Sequence, residues 1–187
     1  MAELHLISVK SLEALISACR KGDRTAQREL FEALSPRMYA VCLRYAGSTD
    51  EAKDILQDGF VSVFSKLDSY SGSGSFEGWA RKIFVNTALM HLRKNDALRM
   101  SEDISLARDL SAPAATPLEN IGYQQLLRLI SSLPPDARTV FNLHVVEGYS
   151  HKEIADRLGI PEATSRSKLQ RARVQLQQMI KKLSGND

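Results

Sequence analysis

Apolar residues in this chain recur at helical rather than strand spacing almost from end to end. Leu12, Leu15, Ile16 and Cys19 share one face of a 3.6-residue period. That stripe stops at Lys21-Gly22-Asp23, where Gly22 ends a helix and Asp23 can cap the next. Ala26, Leu30, Phe31 and Leu34 form a second stripe. Ser35-Pro36 has the form of a cap before a proline at the first helical position, so a third helix is predicted to begin there, carrying Tyr39, Cys42, Leu43 and Ala46. After a break at Gly47-Ser-Thr-Asp50, a long amphipathic helix is predicted from Asp50 to Leu67, with Ile55, Phe60, Val63, Phe64 and Leu67 apolar. Another is predicted from Phe76 to Leu92. No stretch alternates as a half-buried strand would, so the predicted fold class is all-α.

The periodicity lapses between residues 97 and 120. Ser111-Ala-Pro113-Ala-Ala-Thr-Pro117 is rich in Ser, Ala and Pro without an apolar stripe, which reads as a flexible linker. Two small helical domains are therefore predicted, 10–96 and 121–184, tethered by 97–120. In the second, Leu126, Leu127, Leu129 and Ile130 mark a helix ended by Leu133-Pro134-Pro135-Asp136, and Val140, Phe141, Leu143 and Val146 mark one closing at Glu147-Gly148. Ser150-His-Lys-Glu153 is a capping box, in which hydroxyl and carboxylate satisfy opposite orphan amides. The short helix it opens ends at Gly159, and after Ile160-Pro161 a last helix begins. The Ala155…Gly159…Ile160 spacing supplies a small residue where helices cross and a glycine for the tight turn of a helix-turn-helix.

Composition and charge sharpen this picture. The 187 residues include 25 Lys+Arg and 22 Asp+Glu, a formal net charge of +3. The charge is unevenly spread: 13 basic against 12 acidic residues over 1–96, 2 against 4 over 97–120, and 10 against 6 over 121–187. No run of eighteen apolar residues is present, and the first residues lack the basic n-region of a signal peptide, so a cytoplasmic protein without membrane insertion is expected. Cys19 and Cys42 are too few for a disulfide framework or zinc cage and are expected to be buried thiols. The four histidines are dispersed with no nucleophile beside them, so neither catalysis nor a metal or other cofactor is expected. Gly72-Ser-Gly74-Ser-Phe-Glu-Gly78 follows no strand and lacks the spacing of a dinucleotide-binding turn.

Three faces carry candidate chemistry. On the last helix, Leu169, Ala172, Leu176, Met179, Ile180 and Leu183 cluster on one side, with Arg166, Ser167, Gln170 and Arg171 opposite. Six basic residues, including Lys168 and Arg173, and one acidic residue occupy Pro161 to Lys182. Arg pairs with guanine edges, Gln with adenine, and Ser with either base or phosphate, so duplex DNA is the expected ligand. On the Asp50–Leu67 helix, Glu51, Asp54 and Asp58 line one side with Asp50 and Gln57. No ligand-spaced His accompanies them, so a solvated face or a partner-docking surface is expected rather than a metal site. The helix from Phe76 interleaves Trp79, Arg81, Lys82, Asn86, His91, Arg93 and Lys94 behind the loop Asp68–Ser75, a pattern suited to single-stranded nucleic acid, where rings stack on bases and cations follow phosphates.

These motifs resemble a known family. Gly22-Asp23…Ala26…Leu30, Asp50-Glu-Ala-Lys-Asp-Ile-Leu-Gln-Asp58, Phe64…Leu67-Asp-Ser-Tyr70 and Phe76-Glu-Gly-Trp79-Ala-Arg-Lys-Ile83…Asn86 are similar to region 2 of extracytoplasmic-function (ECF, group IV) sigma factors of the sigma-70 family. Leu133-Pro-Pro-Asp-Ala-Arg138, Glu147-Gly-Tyr149-Ser, Glu153-Ile-Ala155 and Pro161-Glu-Ala-Thr-Ser-Arg-Ser-Lys-Leu-Gln-Arg-Ala-Arg173 are similar to region 4. The resemblance spans about 150 of the 187 residues in order. It implies a non-catalytic specificity subunit of bacterial RNA polymerase that directs promoter-specific initiation. Asp50, Glu51, Asp54, Gln57 and Asp58 would contact core polymerase. The loop around Tyr70 and the helix with Trp79, Arg81, Lys82 and Asn86 would capture a flipped base of the −10 element, and Arg166, Ser167, Lys168, Gln170, Arg171 and Arg173 would read the −35 element. It also implies a monomer and an anti-sigma partner, soluble or membrane-bound. The chain departs from the family at Gly59, a mid-helix glycine costing up to about 1 kcal/mol relative to Ala, at Ser62 where a basic residue is frequent, at Ala163 where glycine is frequent, and at Ser165, where an aliphatic residue is usual and thinner packing is expected. A helix-turn-helix regulator acting without polymerase accounts for 121–187 but leaves Asp50–Asn95 without a role, and it would bind an operator tightly, usually as a dimer.

Overall fold

A computed structural model of the chain describes residues 9–99 and 120–183, with side chains over 11–94 and 125–183. Among the described residues there are helices and turns but no strand. They belong to two compact units, one on each side of the undescribed stretch. Most of the segment expected as a linker lies outside the described residues. Its first three residues continue a helix and its last opens one.

In the first unit, α1 (Val9–Arg20) buries Ile16 and Cys19 and ends at Gly22, whose φ of +81° lies in the left-handed region. Asp23 caps α2 (Arg24–Tyr45): its Oδ1 accepts from Thr25 N at 2.8 Å and Ala26 N at 3.2 Å. The expected third helix does not begin at Pro36, because α2 runs straight through it. Leu30, Leu34, Met38, Val41, Cys42 and Tyr45 make one continuous buried stripe across the proline. Pro36 itself is exposed, on the side where the carbonyl it leaves without a partner can turn to water. Ser35, rather than capping, donates its hydroxyl back to Phe31 O at 2.6 Å.

Next comes α3 (Thr49–Ser65), a short 3₁₀ turn (Leu67–Ser69) and α4 (Phe76–Arg99). The helices α2, α3 and α4 pack on one another, and α1 lies on α2. Gly59 sits where α3 meets α4: a Cβ there would fall 2.1 Å from Phe84 Cε1. The mid-helix glycine is therefore a packing requirement, since Phe84 is fully buried and set edge-on against Phe60 with centroids 5.2 Å apart. Both cysteines are buried free thiols, and burial pushes the Cys42 thiol up to about 12.

In the second unit, α5 (Asn120–Ser131) and α6 (Pro135–Phe141) are joined at a turn where buried Arg138 donates to Ser131 O at 2.9 Å. The helix expected to run on to Glu147 instead changes after Phe141 into a π-turn, Asn142–Val146. The widened turn moves the register, leaving Val145 and Val146 exposed while Leu143 stays buried. Then follow α7 (His151–Leu158) and α8 (Glu162–Leu183). Ile130, Leu133, Ala137, Ala172 and Leu176 form the core, with Leu129, Phe141 and Met179 against it. Both α6 and α7 pack on α8.

Candidate functional site

The helix-turn-helix is built as its motif requires. Ser150 N donates to Glu153 Oε2 at 2.8 Å, and Glu153 N donates to Ser150 Oγ at 3.2 Å. The Ser150 N–H, followed by its hydroxyl, holds the Glu153 carboxyl below the usual range. At the other end of α7, Gly159 takes the left-handed conformation (φ +66°, ψ 35°), and Ile160 N reaches Ala155 O at 3.2 Å. Tyr149 and Arg157 stack across the entry to α7, the guanidinium 4.3 Å from the ring centroid.

This frame fixes which side of α8 is presented. Ser165, Leu169, Ala172 and Leu176 are buried, whereas Arg166, Ser167, Gln170, Arg171 and Arg173 are exposed. Arg166 is paired one turn back with Glu162, and Ser167 donates to Thr164 O at 3.0 Å. Lys168 is not presented with them. Its side chain, 21% exposed, is ion-paired with Asp136 and ties α8 to α6. Ala163 and Val174 are also exposed, on the arc of Arg166 and Gln170, and add apolar surface that sequence reasoning did not single out.

Ser165 does not leave thin packing. Buried, its hydroxyl lies 2.9 Å from His151 Nδ1, and the His151 ring stacks on His144 with centroids 4.4 Å apart. His144 Nδ1 in turn lies 2.9 Å from Tyr149 O, which makes that nitrogen the donor. Desolvation first, then His144, Arg166 and Arg173, hold His151 below its ordinary pKa against the opposing pull of Glu162.

In the first unit the acidic helix separates into two kinds of residue. Glu51 is half-buried and serves as a cap: Gly47 N donates to its Oε2 at 2.5 Å, while Glu51 N donates to Ser48 Oγ at 3.1 Å. Ser48-x-x-Glu51 is itself a capping-box spacing, so the signal was present in the sequence. Asp50, Asp54, Gln57 and Asp58 are exposed; Asp50 pairs with Lys53 at 2.9 Å and Asp58 with His91 of α4 at 2.7 Å. At about 100° per residue Val61, 63% exposed, lies among Asp50, Asp54 and Gln57. The exposed face of α3 is thus acidic with an apolar residue in it.

On α4, Trp79, Lys82 and Asn86 share a stripe with Met90 (67% exposed) and Arg93. Arg81 is two residues from Trp79 and so on nearly the opposite side of the helix, half-buried; the structure does not bring it to this stripe. Tyr70 is half-buried in an aromatic cluster, its ring 5.0 Å from Phe76 and 5.5 Å from Trp79. Its hydroxyl donates to Gly74 O at 2.8 Å, closing the loop Ser71–Ser75. Among the described residues no three His, Cys, Asp or Glu side chains gather as a metal site, and no helix is long and apolar enough to cross a membrane.

Residues 30–98 match the family model for Sigma-70 region 2, and residues 123–176 match that for Sigma-70, region 4, together well over half of the chain. The chain is 32% identical over 173 residues to the ECF RNA polymerase sigma factor SigE of Mycolicibacterium smegmatis, covering 87% of this chain and 66% of that relative. It is 27% identical over 182 residues to the ECF RNA polymerase sigma-E factor of Haemophilus influenzae, covering 91% of this chain and 96% of the relative. Among solved structures, the sigma factor RpoE crystallised with the anti-sigma factor NepR from Bartonella quintana has a similar fold, with TM-score 0.56 and 22% identity over 82% of this chain and 96% of that one.

Proposed function

The chain belongs to the sigma-70 family, in its extracytoplasmic-function branch, and we propose that it is a promoter-specificity subunit: it binds core RNA polymerase in the bacterial cytoplasm and directs where transcription begins. It performs no chemistry itself. In this reading the first unit docks on polymerase through the α3 face of Asp50, Asp54, Gln57, Asp58 and Val61. Its loop and the Trp79–Lys82–Asn86 stripe hold the opened −10 element. The second unit reads the −35 element in the major groove through Arg166, Ser167, Gln170 and Arg171, with Arg173 at the flank.

The observation that carries this reading is the exposed face of α8. A capped, tightly turned helix-turn-helix presents two arginines, a glutamine and a serine over two helical turns, on the side opposite its core. Extruding a −10 base costs a few kcal/mol, and a stacking ring beside an amide offsets part of it. In this reading each module binds DNA modestly and selectivity arises when polymerase holds both. The chain is expected to be a monomer that pairs 1:1 with core polymerase, and an anti-sigma factor is expected to occlude the same faces, as a partner of this kind is bound to the Bartonella relative.

Co-purification tests the docking half. Full-length chain and core polymerase should elute as a 1:1 complex, and Asp54→Arg should weaken it while leaving duplex −35 binding unchanged. A chain that dimerises and binds a duplex operator tightly without polymerase would overturn the proposal.

A further inference from the structure

The loop assigned above to the −10 element is held from outside its own sequence. Arg20, the last residue of α1, donates through Nε and Nη2 to Leu67 O at 3.3 and 3.1 Å, and through Nη2 to Tyr70 O at 2.5 Å. Asp68 Oδ1 lies 3.7 Å from its Nε. One guanidinium thus spans both ends of the 3₁₀ turn that leads into the loop. Its planar fork reaches two carbonyls at once, a geometry a single ammonium cannot reproduce.

Little else restrains this segment. Leu67 is buried, but Asp68, Ser69 and every residue from Ser71 to Ser75 are exposed. Gly72 and Gly74 both have positive φ, +79° and +76°, so the backbone follows a path open mainly to glycine. Beyond short-range bonds inside the segment, such as Ser69 N to Lys66 O at 2.9 Å and Tyr70 N to Leu67 O at 3.2 Å, it is tied by the Tyr70 hydroxyl on Gly74 O and the Tyr70 ring against Phe76 and Trp79. Tyr70 is therefore braced twice: its carbonyl by Arg20 and its hydroxyl by the far end of the loop. The loop is shaped before any ligand arrives, which lowers the ordering cost that binding would otherwise incur.

We propose that Arg20 is a positioning residue for −10 base selection: by holding Leu67 O and Tyr70 O it sets the loop against the α4 stripe, without itself meeting the base. This rests on the sigma-factor reading of the site. Because the segment it holds is mostly exposed already, losing the clamp should loosen recognition far more than folding.

The test uses holoenzyme assembled from core polymerase and full-length chain. The probe is a single-stranded non-template oligonucleotide carrying the −10 sequence of the best promoter from a run-off library, with each position also replaced by the other three bases. Arg20→Ala should weaken the best strand about tenfold, the loss of roughly one charge-assisted hydrogen bond, and should draw the best-to-worst base ratio toward one. Polymerase affinity and the unfolding midpoint followed by Trp79 fluorescence should stay unchanged. Arg20→Lys should recover part of the ratio, and Tyr70→Phe, which removes only the tie to Gly74, should lower it in the same direction. Binding within twofold of wild type overturns the proposal. So does an equal loss on every base with the ratio intact, which marks a phosphate contact instead. If Arg20→Ala does not fold, a fully wild-type ratio in Arg20→Lys, which cannot span both carbonyls, overturns it. Failure of the wild-type chain to direct any initiation would strike the sigma-factor reading, not the role of Arg20 within it.

Discussion

Replacing Gly59 by alanine tests whether the contact between α3 and α4 is set by a single missing methyl. The added Cβ would lie 2.1, 2.3 and 2.9 Å from Cε1, Cδ1 and Cζ of Phe84, where carbon contacts normally settle at about 3.5–4.0 Å. Something must therefore yield by more than an ångström. The Phe84 ring has nowhere to go: it is fully buried, edge-on to Phe60, which is itself stacked on Phe64 and tilted against Phe31 with centroids 4.5 Å apart. Overpacking of this kind costs about 1–3 kcal/mol, while alanine in a helix interior regains at most about 1 kcal/mol over glycine. A net loss of about 1–2 kcal/mol is expected, which for a unit of this size lowers Tm by roughly 5–15 °C. Trp79 is the only tryptophan in the chain, so its fluorescence reports the unfolding of this unit alone. Phe84→Leu should be less damaging in the Gly59→Ala background than in wild type, because the two changes share one space. A Gly59→Ala protein that melts higher than wild type, or strict additivity with Phe84→Leu, would refute this account of the helix contact.

Two further outcomes follow from the second unit. His151 has a depressed pKa in the fold, so the unfolded chain takes up a proton near its ordinary value of about 6.5 while the folded unit still resists. Its contribution to stability is present above that value and lost as pH falls through the folded pKa; the ring should titrate below about 6.5 by NMR, and His151→Gln should flatten the loss of thermal stability between neutral and acid pH. A midpoint at or above the ordinary value would contradict it. Arg171→Ala in holoenzyme should relax base preference at one −35 position and cost roughly 1–3 kcal/mol there, measured by initiation on promoters substituted base by base; a uniform loss across all sequences would make Arg171 a phosphate contact.

What was legible in the sequence was mostly local chemistry. Gly22-Asp23, the Ser150–Glu153 box and Gly159 announce helix ends because each acts within four residues of itself, and the structure places caps and left-handed turns there. Ser35-Pro36 misled for a tertiary reason: one continuous buried stripe on α2 outweighs a single lost hydrogen bond on the wet side. The face of α8 could be drawn from periodicity, which already sets Lys168, two residues from both Arg166 and Gln170, off that face; what periodicity could not supply is its partner Asp136, 32 residues earlier. Glu51 was hidden by its neighbours, whose acidity made a cap look like one more rung of a docking face. Gly59 stood out only as a costly mid-helix glycine without a visible reason, and Arg20 carried no signal. Phe84 and the carbonyls of Leu67 and Tyr70 come beside them only once the helices have packed.

Run-off transcription with core polymerase, the full-length chain and a library of randomised promoters tests the central claim most directly. The account expects initiation from a narrow set of templates sharing two elements a fixed distance apart. Disabling the α8 face should weaken selection at the upstream element, and altering the α4 stripe should weaken it at the downstream one. No initiation from any template, together with tight binding of a duplex operator by the chain alone, would contradict it.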